Sequence, residues 1–463
     1  MVFEIKNICC IGAGYVGGPT MAVFASKCPD LVVNVVDINE KRISDWNDKD
    51  LSNLPVYEPG LSYLIEKCRN KNLFFSNDVK NCIAKADMIF ISVNTPTKKT
   101  GFGSGQALDL RWIEECSREI AKYSAGSTIV VEKSTLPVKT ASKIKEILNS
   151  SLKDRSLEEK LNTEKEFFIL SNPEFLAEGS AINDLENPDR VLIGGENKEA
   201  VDALSKIYLN WVPSKKILKT NIWSSELSKL VSNAFLAQRV SSINATSAIC
   251  EKTGADIKEV SLAIGLDRRI GAKFLNSGPG FGGSCFKKDI LSLVYLSNFY
   301  GLSHVANYWE QVIKLNEWQQ SRITQQILES LFGTISGKKL AILGFAFKAN
   351  TNDTRESPAI NICKYLIEEG SILNIYDPKV KKSQIQKDLN FEKFKYTHNI
   401  LEAVQDVDGI VILTDWEEFR RLNYCELYNS MRKPSWLFDC RGVINKKLAI
   451  EAGFKVWVVG NGT

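Results

Sequence analysis

Histidine is almost missing from this 463-residue chain: His304 and His398 are the only two. Both are read as structural or surface residues. Acid–base chemistry in such a chain falls to Lys, Asp, Glu or Cys, because the side chain that titrates nearest neutrality is scarce. No two cysteines have the CxxC spacing of structural zinc sites, so no metal is expected. The eleven cysteines are odd in number and scattered. Cys9 and Cys10 lie in an apolar run, where a free thiol behaves as a small hydrophobe. This usage predicts a reduced, cytoplasmic protein. There is no apolar run long enough to span a membrane, and VFEIKNICCIGAG enters a strand pattern without a basic leader, so neither secretion nor membrane insertion is expected. Neither sign of charge dominates, with 59 basic against 55 acidic residues and a net charge of +4. With no dense basic block carrying aromatics, nucleic acid is not expected as a partner; an anionic small molecule fits better.

What is present is an ordinary globular composition, 44% hydrophobic and 25% charged. The length suggests two to four domains. Residues 5–11 (IKNICCI) read as a strand running into Gly12, Gly14 and Gly17, then a helix to about Lys27. A second strand, LVVNVVD, ends at Asp37. This is a βαβ unit. Further strand-like runs follow at 86–94, 127–135 and 167–175, with helical patterns between them, which predicts a doubly wound parallel sheet. From 223 to 332 helix formers dominate, interrupted by a Gly-rich loop at 276–285. After 338 the α/β pattern returns: KKLAILGFAFK, ILNIYDPK, VDGIVILTDW and WLFDCRG loosely echo the first half. The expected fold class is therefore α/β, two Rossmann-like doubly wound domains (1–222 and 333–463) joined by a central helical domain (223–332). The helices of that domain are expected to build a subunit interface.

Four motifs carry chemistry. In the first, Gly12 permits a tight turn, Gly14 lets backbone approach a pyrophosphate, and Gly17 lets the helix pack on the strand. Asp37, at the end of the next strand, suits a ribose 2′-hydroxyl and favours NAD over NADP, although nearby Arg42 keeps NADP open. In the second, FGGSCFKKD (281–289), Cys285 follows glycines and sits beside Lys287 and Lys288, a setting that favours a thiolate, with Asp289 four residues on. A buried structural cysteine is the bland alternative. In the third, SSELSKLVSN, Lys229 and Asn233 share one face of a helix and can hold a hydroxyl or an oxyanion; an ordinary polar helix face reads equally well. In the fourth, SNPEFLAEG, Glu174 and Glu178 stand at the carboxyl end of a strand, where doubly wound sheets bind ligands; a polar loop is the alternative.

Together these motifs resemble the UDP-glucose 6-dehydrogenases of eukaryotic type, within the UDP-glucose/GDP-mannose dehydrogenase family. The resemblance runs through IGAGYVGGPT, ISVNTPT, EKSTLPV, SNPEFLAEG, NPDRVLIGG, WSSELSKL, NAFLAQR, GFGGSCF, ILGFAFK and DTRES, in the family's order. It implies oxidation of UDP-glucose at C6 to the carboxylate with reduction of two NAD+. Cys285 would attack the intermediate aldehyde and pass through a thiohemiacetal and a thioester. Lys229 and Asn233 would stabilise the oxyanion, Asp289 would assist proton transfer, and Glu174 would act in acid–base chemistry with Thr135 nearby. Cofactor contacts would fall on Gly12, Ala13, Gly14, Tyr15, Val16, Gly17, Asp37, Arg42, Val93, Asn94, Thr95, Pro96, Thr97, Ser134, Thr135, Glu178 and Arg355. Sugar-nucleotide contacts would fall on Glu174, Phe175, Leu176, Ala177, Glu178, Lys229, Asn233, Arg269, the loop Asn276, Ser277, Gly278, Pro279, Gly280, Phe281 and Gly282, and on Phe347, Lys348 and Arg441. Arg269 would reach a neighbouring subunit, and the family's eukaryotic members imply a homo-oligomer, a hexamer built from dimers. Pro279, Cys440 and Asn352 depart from the family's pattern. Three other readings compete with it: a UDP-N-acetylhexosamine dehydrogenase, a non-catalytic NAD-binding homologue, and a hydroxy-acid or 6-phosphogluconate type of dehydrogenase that needs no cysteine and yields one NADH.

Overall fold

The structure is a computed structural model that describes residues 3–153 and 165–462. The chain forms two compact units, Met1–Ser232 with Leu291–Leu296, and Asn233–Ile290 with Ser297–Thr463. The first unit is built on a sheet of eight strands. These are β1 (Asn7–Ile11), β2 (Val32–Val36), β3 (Leu73–Ser76), β4 (Met88–Ile91), β5 (Thr128–Glu132), β6 (Phe167–Ser171), β7 (Val191–Gly195) and β8 (Ile217–Thr220), in the order β3-β2-β1-β4-β5-β6-β7-β8. The order reverses between β1 and β4, the switch point of a doubly wound sheet.

Strand periodicity decides which core each residue joins. Ile8 and Cys10 face one apolar core with Phe24, Val33 and Val35. Cys9 and Ile11 face the other with Ile89, Ile91 and Val130. Helices cover both faces, so β4 and β5 are buried along their whole length, and β4 (MIFI) reads as a continuous apolar run. Phe24, on the helix Gly17–Lys27, touches the rings of Phe90, Tyr208 and Trp211 edge-on.

One pairing departs from the expected parallel pattern. β6 and β7 run antiparallel, paired at Leu170 with Gly195 and Ser171 with Gly194. A parallel neighbour needs a crossover that carries the chain back to the opposite edge. Residues 172–190 make none, so β7 re-enters the sheet from the edge at which β6 left it. The SNPEFLAEG segment is thereby kept at the carboxyl edge.

The second unit holds most of the 32-residue helix Ile222–Thr253, the 28-residue helix Ser303–Ser330, and a six-stranded sheet. Its strands are β9 (Lys339–Leu343), β10 (Ile372–Tyr376), β11 (Lys395–Tyr396), β12 (Gly409–Ile412), β13 (Trp436–Asp439) and β14 (Lys455–Val458), all parallel in the order β11-β10-β9-β12-β13-β14. The echo between the two sheets extends to single hydrogen bonds. Gly12, at φ +110°, donates its N–H to Val36 O at 2.8 Å, and the N–H of Ala13 reaches the Asp37 carboxylate at 2.9 Å. Gly344, at φ +93°, donates to Tyr376 O at 2.8 Å, and the N–H of Phe345 reaches the Asp377 carboxylate at 2.7 Å. Among the described residues, no helix is long and apolar enough to cross a membrane.

Phe24→Ala removes a fully buried ring with three aromatic neighbours. It is expected to destabilise the first unit by about 3–5 kcal/mol, seen as a lower denaturant midpoint of the Trp211-sensitive fluorescence transition.

Candidate functional site

In the first unit, the loop after β1 is shaped by close approach of backbone to backbone. A side chain at Gly17 would place its Cβ 1.9 Å from Gly12 O, and one at Gly12 would place it 2.3 Å from Ser92 O. Gly14 is the opposite case: no protein atom lies within 4 Å of where its Cβ would be. The loop therefore has open space beside Gly14, at the start of the helix Gly17–Lys27, where N–H groups and the helix dipole favour an anion. Asp37 is buried and heavily committed. Its carboxylate accepts from Ala13 N, Asn39 N and Arg42 Nη1, each at 2.9 Å. The Arg42 guanidinium is thus tied to Asp37, so the freedom to accept a 2′-phosphate that the sequence left open is reduced.

The loops after β4 and β5 are stitched together. Thr95 Oγ1 donates to Thr135 O at 3.0 Å, and Ser134 Oγ donates to Val93 O at 2.7 Å. After β6, Glu174 turns inward. One oxygen accepts Leu176 N at 2.9 Å, and the other pairs with Lys229 Nζ at 3.3 Å, with both side chains under a tenth exposed. Phe175 lies between cations, with the Arg190 guanidinium 3.7 Å from its ring centroid and Lys229 Nζ at 5.5 Å. Behind them is a buried polar network. Lys133 Nζ donates to Asn172 Oδ1 at 3.1 Å and to Tyr208 Oη at 3.3 Å, and Tyr208 Oη donates to Asn172 Oδ1 at 2.7 Å. Burial pulls the Lys133 ammonium down to about 8 and pushes the Tyr208 phenol up.

In the second unit, Cys285 is half-buried and directly precedes the helix Phe286–Phe299, with Ser284 Oγ at 3.5 Å from its sulfur. Asp289 lies one turn along, its N–H bonded to Cys285 O at 2.9 Å. Its fully buried carboxylate accepts Asn233 Nδ2 at 2.6 Å. Lys288 Nζ stands 3.9 Å from the same carboxylate. Lys287 is bound elsewhere, to Glu317 at 3.5 Å and Glu356 at 3.3 Å, which weakens the support expected from it for a thiolate.

The glycine loop before Cys285 is pinned by side chains from helices. Gly278 N donates to Asn244 Oδ1 at 2.8 Å, and Gly278 O accepts Gln319 Nε2 at 2.8 Å. Asn316 closes a two-way bond with Phe281, accepting its N–H at 2.8 Å and donating to its carbonyl at 3.2 Å. Gly280 has φ +124°, and a Cβ there would fall 2.6 Å from Asn316 Oδ1. Arg441 sits at the same loop: its Nη2 donates to Phe347 O at 2.9 Å and its Nε to Leu413 O at 2.8 Å, while a Cβ on Gly278 would meet its Nη1 at 3.3 Å. Phe347 flanks Gly283, and Lys348 Nζ lies 5.5 Å from the Phe347 ring centroid.

One predicted site residue stands apart from these groups, and another joins the glycine loop through its backbone, Arg355 O accepting Gly283 N at 2.8 Å. The Arg269 side chain is 89% exposed and pairs with Asp267 at 2.6 Å. Arg355 belongs to the second unit and forks onto Asp353, with its NH2 nitrogen at 2.6 Å. Sequence reasoning missed Lys133, Asn172, Tyr208, Asn244, Asn316 and Gln319. Lys133 and Asn172 lie inside motifs already singled out, EKSTLPV and SNPEFLAEG, and so carried a signal. The others are polar positions on helices, and no local pattern marks them.

Family models match nearly the whole chain: the NAD binding domain over residues 6–212, the central domain over 223–318 and the UDP binding domain over 341–446. The chain belongs to the UDP-glucose/GDP-mannose dehydrogenase family. It is 52% identical to UDP-glucose 6-dehydrogenase 4 of Arabidopsis thaliana, covering 98% of this chain and 97% of that protein. The same identity and coverage hold for UDP-glucose 6-dehydrogenase 1 of Oryza sativa subsp. japonica. Among solved structures, a UDP-glucose dehydrogenase from Pyrobaculum islandicum superposes with a TM-score of 0.86 at 28% identity, covering 100% of this chain and 99% of that one. The residues present fit the cofactor of this family: an open backbone at Gly14, an anion-favouring helix start, and a buried carboxylate at the end of β2.

Asn316→Ala strips both the N–H and the carbonyl of Phe281 of their side-chain partner. A loss of about 1–3 kcal/mol is expected, together with faster amide exchange at Phe281, measured by hydrogen–deuterium exchange.

Proposed function

We propose that this chain catalyses the NAD-dependent, four-electron oxidation of UDP-glucose to UDP-glucuronate, with Cys285 as the covalent nucleophile. One observation carries the reading. Cys285 is presented half-buried at the start of a 14-residue helix, with Asp289 one turn along and held by Asn233. A thiol at a helix start faces unpaired N–H groups, which favour its anionic form.

An aldehyde has no hydride to give up on the way to an acid until a nucleophile adds to it. The Cys285 thiolate adds to C6, forming a carbon–sulfur bond and an oxyanion. Lys229 and Asn233, four residues apart on the helix Ile222–Thr253, donate to that oxygen and stabilise its charge. Glu174 holds Lys229 in place as its ion-pair partner. Loss of hydride from the thiohemiacetal leaves a thioester. Water then breaks the carbon–sulfur bond, releasing the carboxylate and returning the thiol, with Asp289 assisting proton transfer and Glu174 serving acid–base chemistry beside Thr135. NAD+, when bound, supplies the acceptor for each hydride. It would be held by Gly12 to Gly17, Asp37, Arg42, Val93 to Thr97, Ser134, Thr135, Glu178 and Arg355. The UDP-sugar would be held by Phe175 to Glu178, the loop Asn276 to Gly282, Phe347, Lys348 and Arg441. The buried thiols of Cys9, Cys10, Cys28, Cys68 and Cys363 stay unoxidised, which suits a reducing compartment such as the cytoplasm.

The same reading includes a homo-oligomer. An apolar groove of about 600 Å³ is lined by Ala245, Ala248, Ile249, Leu315 and Trp318, with Ile249 63% and Trp318 44% exposed. A second copy of the chain is its proposed occupant, and the exposed Arg269 would serve that copy's site. Light scattering should give at least a dimer, and Ile249→Glu should shift the mass towards the monomer.

Two NADH per UDP-glucose are expected with purified protein; a ratio of one sinks the thioester route. Cys285→Ser should keep UDP-glucose affinity within a few-fold and lose net UDP-glucuronate formation. Near wild-type acid formation by that variant would also overturn the assignment.

A further inference from the structure

Gly278 lies in the glycine loop that precedes Cys285, and side chains take both polar groups of its backbone. Its N–H donates to Asn244 Oδ1 and its carbonyl accepts Gln319 Nε2, each at 2.8 Å. Gln319 is fully buried. A carboxamide has an oxygen at one end and an NH2 of nearly the same size at the other, so its partners alone decide which end faces which way. The oxygen end of Gln319 meets Arg322, one turn further along the helix Ser303–Ser330. The guanidinium Nε and Nη2 both donate to Gln319 Oε1 at 3.1 Å. A guanidinium carries donors only. It therefore refuses the NH2 end and leaves that end directed at Gly278 O.

Arg322 is fixed in turn by the helix Ile222–Thr253. Its Nη1 donates to Glu251 Oε2 at 2.6 Å, and its Nη2 also reaches Ser247 Oγ at 3.3 Å. The Arg322 and Glu251 side chains are only 16% and 12% exposed. The second oxygen of Glu251 accepts the N–H of Gly460 at 2.7 Å. Ser247 Oγ donates to Asn244 O at 2.7 Å, so the network closes on the residue that holds the N–H of Gly278. The Gly278 backbone is thus clamped between two long helices, with Arg322 as the group that ties one arm of the clamp to the other. The clamped glycine lies against Arg441, whose Nη1 would be 3.3 Å from a Cβ placed there.

We propose that Arg322 is a positioning residue for the UDP-sugar loop: by donating only to the oxygen of Gln319 it locks the amide so that its N–H holds Gly278 O, and with it the backbone of Asn276 to Gly282. The inference rests on the reading above that this loop holds the UDP-sugar. Neither Arg322 nor Gln319 is asked to take part in the chemistry at Cys285. The quantity they set is affinity for the nucleotide, and turnover at saturation and affinity for NAD+ follow from other residues.

Gln319→Glu tests the lock with little change of shape. The side chain keeps its bond to Arg322 but sets an acceptor against the Gly278 carbonyl, where two oxygens repel. The Kd for UDP, measured by calorimetry, and the KM for UDP-glucose should each rise about tenfold, with kcat within about threefold and KM for NAD+ within about twofold of wild type. Arg322→Lys keeps a cation for Glu251 but replaces the planar fork by a point donor, which frees the amide to turn; a rise of about three- to fivefold in the same two constants is expected. It carries the test if Gln319→Glu does not fold. A melting temperature that falls while the UDP Kd and the UDP-glucose KM stay at wild-type values would make the network merely structural and overturn the proposal. So would a loss of NAD+ affinity as large as the loss of UDP affinity. The wild-type titration keeps the two readings apart. Wild-type protein that binds no UDP overturns the substrate reading itself, whereas wild type and both variants binding UDP equally well overturns the Arg322 proposal alone.

Discussion

Parallel strand pairing imposes one constraint from which the rest of the first unit follows. From β1 to β6 each strand must be returned across a face of the sheet before the next begins, so their six carboxyl ends open on the same edge. The loops Gly12–Gly17, Val93–Thr97, Ser134–Thr135 and Glu174–Glu178 follow β1, β4, β5 and β6, four neighbours in the sheet. Residues separated by more than 150 positions in sequence are brought to one edge by strand order alone. The antiparallel entry of β7 serves the same end, since it leaves residues 172–190 on that edge.

Buried polar groups then fix what the edge can do. Asp37 is spent largely on the protein itself, on Ala13 N, Asn39 N and Arg42. Such a carboxylate shapes the glycine loop. Asp377 repeats the device on Phe345 N and Ala346 N in the second sheet. The likeness of the two halves is therefore physical: a glycine at positive φ, a strand-end carbonyl and a strand-end carboxylate make the same turn twice.

With only two histidines in the chain, proton and charge management passes to lysines and carboxylates whose surroundings do the tuning. Glu174 and Lys229 neutralise one another in a dry setting. Asn233 and Asp289 form a second buried couple. Breaking either by removing one partner leaves the other costly to bury, which ties the stability of these regions to their chemistry.

Much of this was legible in the sequence. The βαβ units, the glycine fingerprint ending at Asp37, the helical middle and the second α/β half all follow from local periodicity and turn chemistry, which act over a few residues. Cys285, Lys229 and Asn233 stand out there only as candidates, because their spacing lies within a helix turn or a single loop. β3, β7, β8, β11 and β14 were not anticipated. The antiparallel β7, the locking of Arg42 onto Asp37, the diversion of Lys287 to Glu317 and Glu356, and the Lys133–Asn172–Tyr208 network were decided by tertiary structure alone. Each joins side chains from different elements, and their partners are chosen by how sheets and helices pack, which no local pattern of residues records.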